Sequence, residues 1–164
     1  MKLLTLDKEI VTLLVERLKN EYAAHYMYRA LSNWSSNVGY KLAGEYFAKE
    51  AEDELSHAKK IEVFMTDWNV FFVLPDVEIP IAKYEDLKEA IETAYKAEAD
   101  LYEAYETISN EIFKIGDTCV FDFLQFFRTV QTKAVAEYST MLNILDGVES
   151  NKTNFLLLEE KLFE

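Results

Sequence analysis

The 164-residue chain has one cysteine, two prolines and four glycines, and each scarcity removes a class of protein. A lone Cys119 can form neither an intramolecular disulfide nor a four-cysteine metal site, rubredoxin-type iron included, and it fits a reducing compartment. So little glycine and proline is too sparse a punctuation for many short strands and points to a few long helices. Basic residues are short as well. The 17 Lys and Arg against 30 Asp and Glu leave a net charge of −13, which disfavours nucleic acid and favours cations. Long apolar runs are missing. Met1–Lys19 mixes charges among its apolar residues and has no small-residue cleavage site, so neither a signal peptide nor a membrane span is expected, and the chain reads as cytoplasmic.

What is present is apolar and aromatic bulk. Half the residues are hydrophobic, with 11 Phe and 10 Tyr, enough to fill the core of a single domain over residues 1–164. Periodicity and punctuation predict helices over Asp7–Asn37, Gly39–Asn69, Tyr84–Ile115 and Asp117–Leu145, with Gly39, Gly116 and Gly147 at the joints. Val70–Lys83, with Pro75 and Pro80, lacks helical periodicity and is too long for a tight turn. It is expected to cross the length of an all-α four-helix bundle between helices two and three. Thr153–Glu164 reads as a short C-terminal fifth helix. On the crossover, Phe71, Phe72, Val73 and Leu74 either fold over the bundle's own core or are buried against another subunit.

Seven-residue steps return to nearly the same helix face. The first segment then reads Leu14, Glu21, Tyr28, and the second Tyr40, Phe47, Glu54, Ile61, Trp68. The third reads Tyr84, Ile91, Glu98, Tyr105, Ile112, and the fourth Leu124, Gln131, Tyr138, Leu145. Each apolar seam is broken once by a ligand-type side chain, so Glu21, Glu54, Glu98 and Gln131 are expected to point inward at one depth. A single such Glu is more simply an ion-paired carboxylate. Three converging on one dry level would cost a large share of a domain's stability without a cation.

His57 lies three residues after Glu54, so both can reach one ion from one helix face. With only His25 and His57 in the chain, a second Glu-x-x-His motif is impossible, and the centre should be lopsided. Glu21, Glu54 and His57 are expected to bind one metal, and Glu54 with Glu98 a second. Gln131 holds a water or an oxygen species. Oxygen ligands with one imidazole and open positions suit ferrous iron better than structural zinc. Tyr28, one layer away, is placed to hydrogen-bond a ligand or donate an electron, or else only fills the core. His25 reads as a histidine of a helix interface.

These residues resemble the ferritin family along nearly the whole chain. Asn20-Glu21-Tyr22 through Tyr28 is similar to its first-helix site, Glu54-Leu55-Ser56-His57 to its second, Glu98 to its third and Gln131 to its fourth. Gln131 with Ala134 is similar to the animal heavy-chain pattern, while Asp122–Phe126 and Leu156–Leu162 look bacterial. The resemblance implies a 24-subunit cage that oxidises Fe2+ with O2 or peroxide at each di-iron site and stores a ferric mineral. Val130, Lys133 and Ala134 stand where bacterial relatives place carboxylates for a third iron, which implies that this accessory site is missing. Ser56 and Lys59 replace carboxylates used in mineral nucleation. Leu55, where a haem-ligating methionine would stand, implies no haem. Two other readings stay open: a di-iron oxidase or oxygenase that keeps iron as cofactor, and a metal-stapled or metal-free helical assembly protein.

Overall fold

The computed structural model describes Met1 and residues 3–163. Among these residues there are five helices and no strand: α1 Lys8–Val38, α2 Lys41–Asp67, α3 Leu87–Ile115, α4 Thr118–Leu145 and α5 Lys152–Phe163. Each is expected from the sequence within a few residues, and local chemistry explains the offsets. Gly39, expected to open the second helix, ends the first, at φ 94° and with its N–H donated to the Ser35 and Ser36 carbonyls. The third helix starts three residues later than expected because Asp86 caps it. The Asp86 carboxylate accepts from the Glu89 N–H at 2.9 Å, and the Glu89 carboxylate accepts from the Glu85 N–H at 2.5 Å. Asp117 likewise caps α4, accepting from the Val120 N–H at 3.0 Å. The second helix stops short of Asn69, which turns the chain at φ 56°. Glu164, the expected end of the fifth helix, lies outside the described residues.

Packing follows from the apolar seams. α1 lies along α2, α3 along α4 and α1 against α3, with residues 68–86 carrying the chain between the two pairs without helix. The buried side chains form two apolar clusters. One holds Tyr28, Leu31, Phe47, Ile91, Tyr138, Leu145 and Phe155. The other holds Leu14, Leu18, Ile61, Tyr105, Ile112, Leu124 and Phe127. The four polar seam positions fall between these clusters in sequence, so the bundle carries a polar layer clamped by apolar material on both sides.

The fifth helix closes one end. Phe155 and Leu162 are buried in the first cluster, and the buried Glu159 accepts from the Ala43 N–H at 3.1 Å. That carboxylate satisfies an otherwise orphaned donor in the first turn of α2 and sits favourably on the positive end of its dipole. α5 therefore braces the helix that carries Glu54 and His57.

The crossover divides between core and surface. Val70 and Phe72 pack against the second cluster, whereas Phe71, Val73 and Leu74 are exposed, Phe71 by 92%. The same strap exposes Ile79 and Ile81.

α1 and α2 approach closely at Gly44. A Cβ there would collide with the Ser36 hydroxyl and meet the Ser36 backbone N at 3.3 Å and the Ser32 carbonyl O at 3.4 Å. The Ser32 hydroxyl spans the same gap, donating to the Gly44 carbonyl at 2.8 Å. The serine hydroxyl can rotate away, but the backbone atoms cannot. Gly44→Ala is therefore expected to lower stability by about 1–3 kcal/mol. Urea unfolding checks this as a lower midpoint at unchanged slope, and an unchanged midpoint would show that the helix pair is loosely packed there.

Candidate metal centre

Four helices deliver one polar layer. Glu21 comes from α1, Glu54 and His57 from α2, Glu98 from α3 and Gln131 from α4, and all five are buried. Glu21 and Glu98 have no solvent exposure. Ligand atoms of Glu21, Glu54 and His57 lie within 4.8 Å of one another, the one such group among the described residues. The His57 Nδ1 stands 3.2 Å from Glu54 Oε2 and 3.5 Å from Glu21 Oε2.

Two of the three carboxylates are aimed by a tyrosine from a neighbouring layer. The Tyr105 hydroxyl donates to Glu21 Oε1, and the Tyr28 hydroxyl donates to Glu98 Oε1. Gln131 Nε2 donates to Glu98 Oε2 at 2.6 Å, so both Glu98 oxygens have partners. Glu98 consequently stands beside the three-ligand group without joining it. Glu21 Oε2 is buried and has no hydrogen-bond partner. An orphaned carboxylate oxygen normally costs several kcal/mol, and here it faces an imidazole and a second carboxylate, the position a cation would complete.

Electrostatics describes the same deficit of positive charge. Burial, opposed by the His57 hydrogen bond and reinforced by the Glu21 charge, holds the Glu54 carboxyl well above the usual range. Burial also raises Glu98, against hydrogen bonds from Tyr28 and Gln131 that favour its charged form. For His57, burial pulls the imidazole down, but the facing Glu21 and Glu54 carboxylates outweigh it and push the group up to about 10. Both carboxyls and the imidazole are thus shifted towards their protonated forms. Two carboxylates and one imidazole form an oxygen-rich, open ligand set that fits Fe2+.

His25 is turned away from this work. Its Nδ1 lies 2.6 Å from the Ala51 carbonyl O, tying α1 to α2. Phe126 and Phe127 set their edges against the His57 ring, with centroids at 5.7 and 6.1 Å, and Lys60 Nζ lies 4.5 Å over Phe126.

Two participants escape the sequence reading. Tyr105 is on the third seam, seven residues after Glu98, and reads there as core filler; only the assembled bundle brings it to Glu21. Glu50, one turn before Glu54, lies off every seam. Burial and the charges of Glu98, Glu137 and Asp53 push its carboxyl up to about 7, which places it in the field of the centre.

Comparison with known proteins agrees with this geometry. The family model described as Ferritin-like domain matches residues 11–148. The chain is similar to a probable bacterial non-heme ferritin-like protein of Haemophilus influenzae, 24% identical over 96% of this chain and 95% of that protein. It is also similar to a bacterial non-heme ferritin of Campylobacter jejuni, 27% identical over 94% and 93% of the two chains. Among solved structures, an open-pore ferritin from the archaeon Archaeoglobus fulgidus superposes with a TM-score of 0.90 at 20% identity, covering 96% of this chain and 98% of that one. A five-helix bundle with a buried Glu, Glu, His group at its middle, matched by the family model across most of its length, belongs to the ferritin-like domain family.

Proposed function

We propose that this protein is a non-haem ferritin that oxidises Fe2+ at the Glu21, Glu54, His57 and Glu98 centre and stores the ferric product. The observation that carries the reading is the orphaned Glu21 oxygen converging with Glu54 and His57 in a water-poor layer of the bundle. The names of its relatives point the same way.

In this reading iron is substrate. The first Fe2+ binds Glu21, Glu54 and His57; the second takes Glu54 and Glu98, once Glu98 releases its bond to Tyr28 or Gln131. The two ions give two electrons together to O2, which takes two protons and leaves as hydrogen peroxide, or to hydrogen peroxide, which takes two protons and leaves as two waters. Paired delivery avoids one-electron oxygen radicals. The carboxylates stabilise the Fe3+ product by charge and template the pair of ions. Gln131 orients a water or the oxidant. The second ion has few protein ligands, which favours its departure as Fe3+ towards a mineral.

Storage requires a closed assembly, and a cage of 24 such subunits in the cytoplasm completes the proposal. The exposed strap of Phe71, Val73, Leu74, Ile79 and Ile81 offers apolar surface of the kind subunit contacts bury. The competing oxidase reading needs room for an organic substrate beside the metals. The apolar cleft of about 400 Å3 between α1 and α3 is instead lined by residues such as Ala23, Met27, Ile81 and Leu101, and by none of the five residues of the centre.

Three outcomes test the reading. After aerobic Fe2+ loading and gel filtration, the protein is expected to elute as a large assembly with many more than about two irons per subunit, since a di-iron site alone holds no more. About two or fewer would favour a retained cofactor. Glu54→Ala is expected to abolish most of the rapid phase of Fe2+ oxidation, and an unaltered initial rate would remove the centre from the mechanism. Metal must also displace the proton that His57 carries, so affinity should rise with pH between pH 6 and 8, by about tenfold per unit for each proton released. Titration calorimetry in buffers of different ionisation enthalpy reads the proton count directly; a count of zero would contradict the assignment.

A further inference from the structure

Glu21 and Glu98, the two carboxylates without solvent exposure, are tied across the α1–α3 contact. Tyr105 of α3 donates to Glu21 of α1, and Tyr28 of α1 donates to Glu98 of α3. The two helices therefore run antiparallel, and these bonds bracket one level of the bundle. Ala24 and Leu101 fall inside the bracket, each three residues after its glutamate. Both are buried, and both line the apolar cleft of about 400 Å3 that opens beside this helix pair. They form its floor, since Ala23, Met27 and Ala97 around them are only half-buried and Ile81 of the strap is exposed. The cleft and the carboxylate layer thus lie on opposite sides of one thin wall, at the same depth along the bundle.

The chemistry of the cleft suits one reactant of the centre better than the others. No Lys, Arg or His lines it, and its polar members, Asn20, Glu78, Thr93 and Asp100, stand at half-buried or exposed positions around the floor. Asn20 Oδ1 is sealed from solvent and offers nothing to a polar guest. Tyr84, also buried, has given its hydroxyl to the Ile81 carbonyl at 3.1 Å. Hydrated Fe2+ would have to shed water against alanine and leucine with nothing to replace it, and hydrogen peroxide would lose hydrogen bonds in the same way. O2 carries no charge and keeps no such shell, and small apolar guests settle in apolar protein cavities that water leaves dry. On the other side of the centre, the edges of Phe126 and Phe127 cover His57.

We infer that this cleft is the dioxygen port of the metal centre. O2 collects on the apolar floor and passes between Ala24 and Leu101 into the carboxylate layer, while ferrous ions and peroxide arrive by other routes. The inference deepens the ferroxidase reading given above and rests on it. It also explains how a layer whose carboxylates meet no solvent receives a gas without admitting bulk water.

Two measurements on the assembled protein test this. Crystals pressurised with xenon read the cleft directly, because xenon is an apolar gas that enters such cavities. Xenon is expected on the floor between Ala24 and Leu101. Kinetics reads the route: Ala23→Leu and Ala97→Leu, one on each helix, fill the cleft from its half-buried margin and replace no ligand. Each is expected to lower kcat/KM for O2 by about fivefold and to leave kcat at saturating O2 unchanged, the mark of lost access and not of lost chemistry. The rate with hydrogen peroxide and the anaerobic binding of Fe2+ should match those of the unaltered protein, which a structural disturbance of Glu21 or Glu98 would not allow.

A floor that stays empty under xenon overturns the port, and so do side chains of another subunit filling the cleft in the assembled particle. An unaltered kcat/KM for O2 in both filled variants overturns it as well, as does an equal loss with O2 and with peroxide. If the filled variants misfold, xenon in the unaltered protein still decides. If the unaltered protein oxidises no Fe2+ with either oxidant, the ferroxidase reading fails and the port falls with it. Normal oxidation that ignores a filled cleft overturns the port alone.

Discussion

Negative charge held out of water at the middle of a helical bundle is the constraint on which this structure turns. Glu21, Glu54 and Glu98 are desolvated by the apolar clusters on either side, and among the described residues no lysine or arginine is buried with them. Removing an ionised carboxylate from water carries an effective penalty of roughly several kcal/mol, so the layer must find positive charge or keep its protons. His57 supplies one local solution, raised to about 10 by the two glutamates that face it. A divalent cation supplies a better one. The chemistry of the site therefore expresses an electrostatic debt built in by the fold.

The apolar clusters do more than exclude water. Tyr105 comes from one and Tyr28 from the other, and each extends its hydroxyl into the layer to fix a carboxylate. Orientation is thus supplied by side chains whose rings are locked in close-packed surroundings, as with Tyr105 stacked on Phe127 at 4.9 Å. A ligand held by such an outer hydrogen bond, as Glu21 is by Tyr105, is oriented before metal arrives. Glu159 extends the same logic to the end of the bundle, since it secures the first turn of the helix that carries two of the ligands.

Much of this was legible in the sequence, because a heptad seam leaves its register in the spacing of apolar residues. Glu21, Glu54, Glu98 and Gln131 interrupt four seams, and all four are buried in the folded chain. Helix ends were harder to read, since they depend on which polar residue captures an N–H. Asp86 did so for α3, moving its start past Tyr84. The crossover gave a mixed answer, because an irregular strap has no period to say that Phe72 turns inward and Phe71 outward. Tyr105 and Glu50 could not be assigned from spacing at all, since their roles come from contacts between helices. The hydrogen bonds that occupy both oxygens of Glu98 are equally invisible in one dimension.

The close approach at Gly44 has a mechanical consequence. With no side chain at Gly44, α1 and α2 are pinned there, and the His25–Ala51 contact ties them a second time nearer the ligands. Glu54 lies only roughly 4.5 Å beyond that second tie at 1.5 Å per residue, so a few degrees of opening would part Glu21 from Glu54 by only about 0.3 Å. The gap between the two carboxylates is thus kept stiff by contacts that involve neither of them.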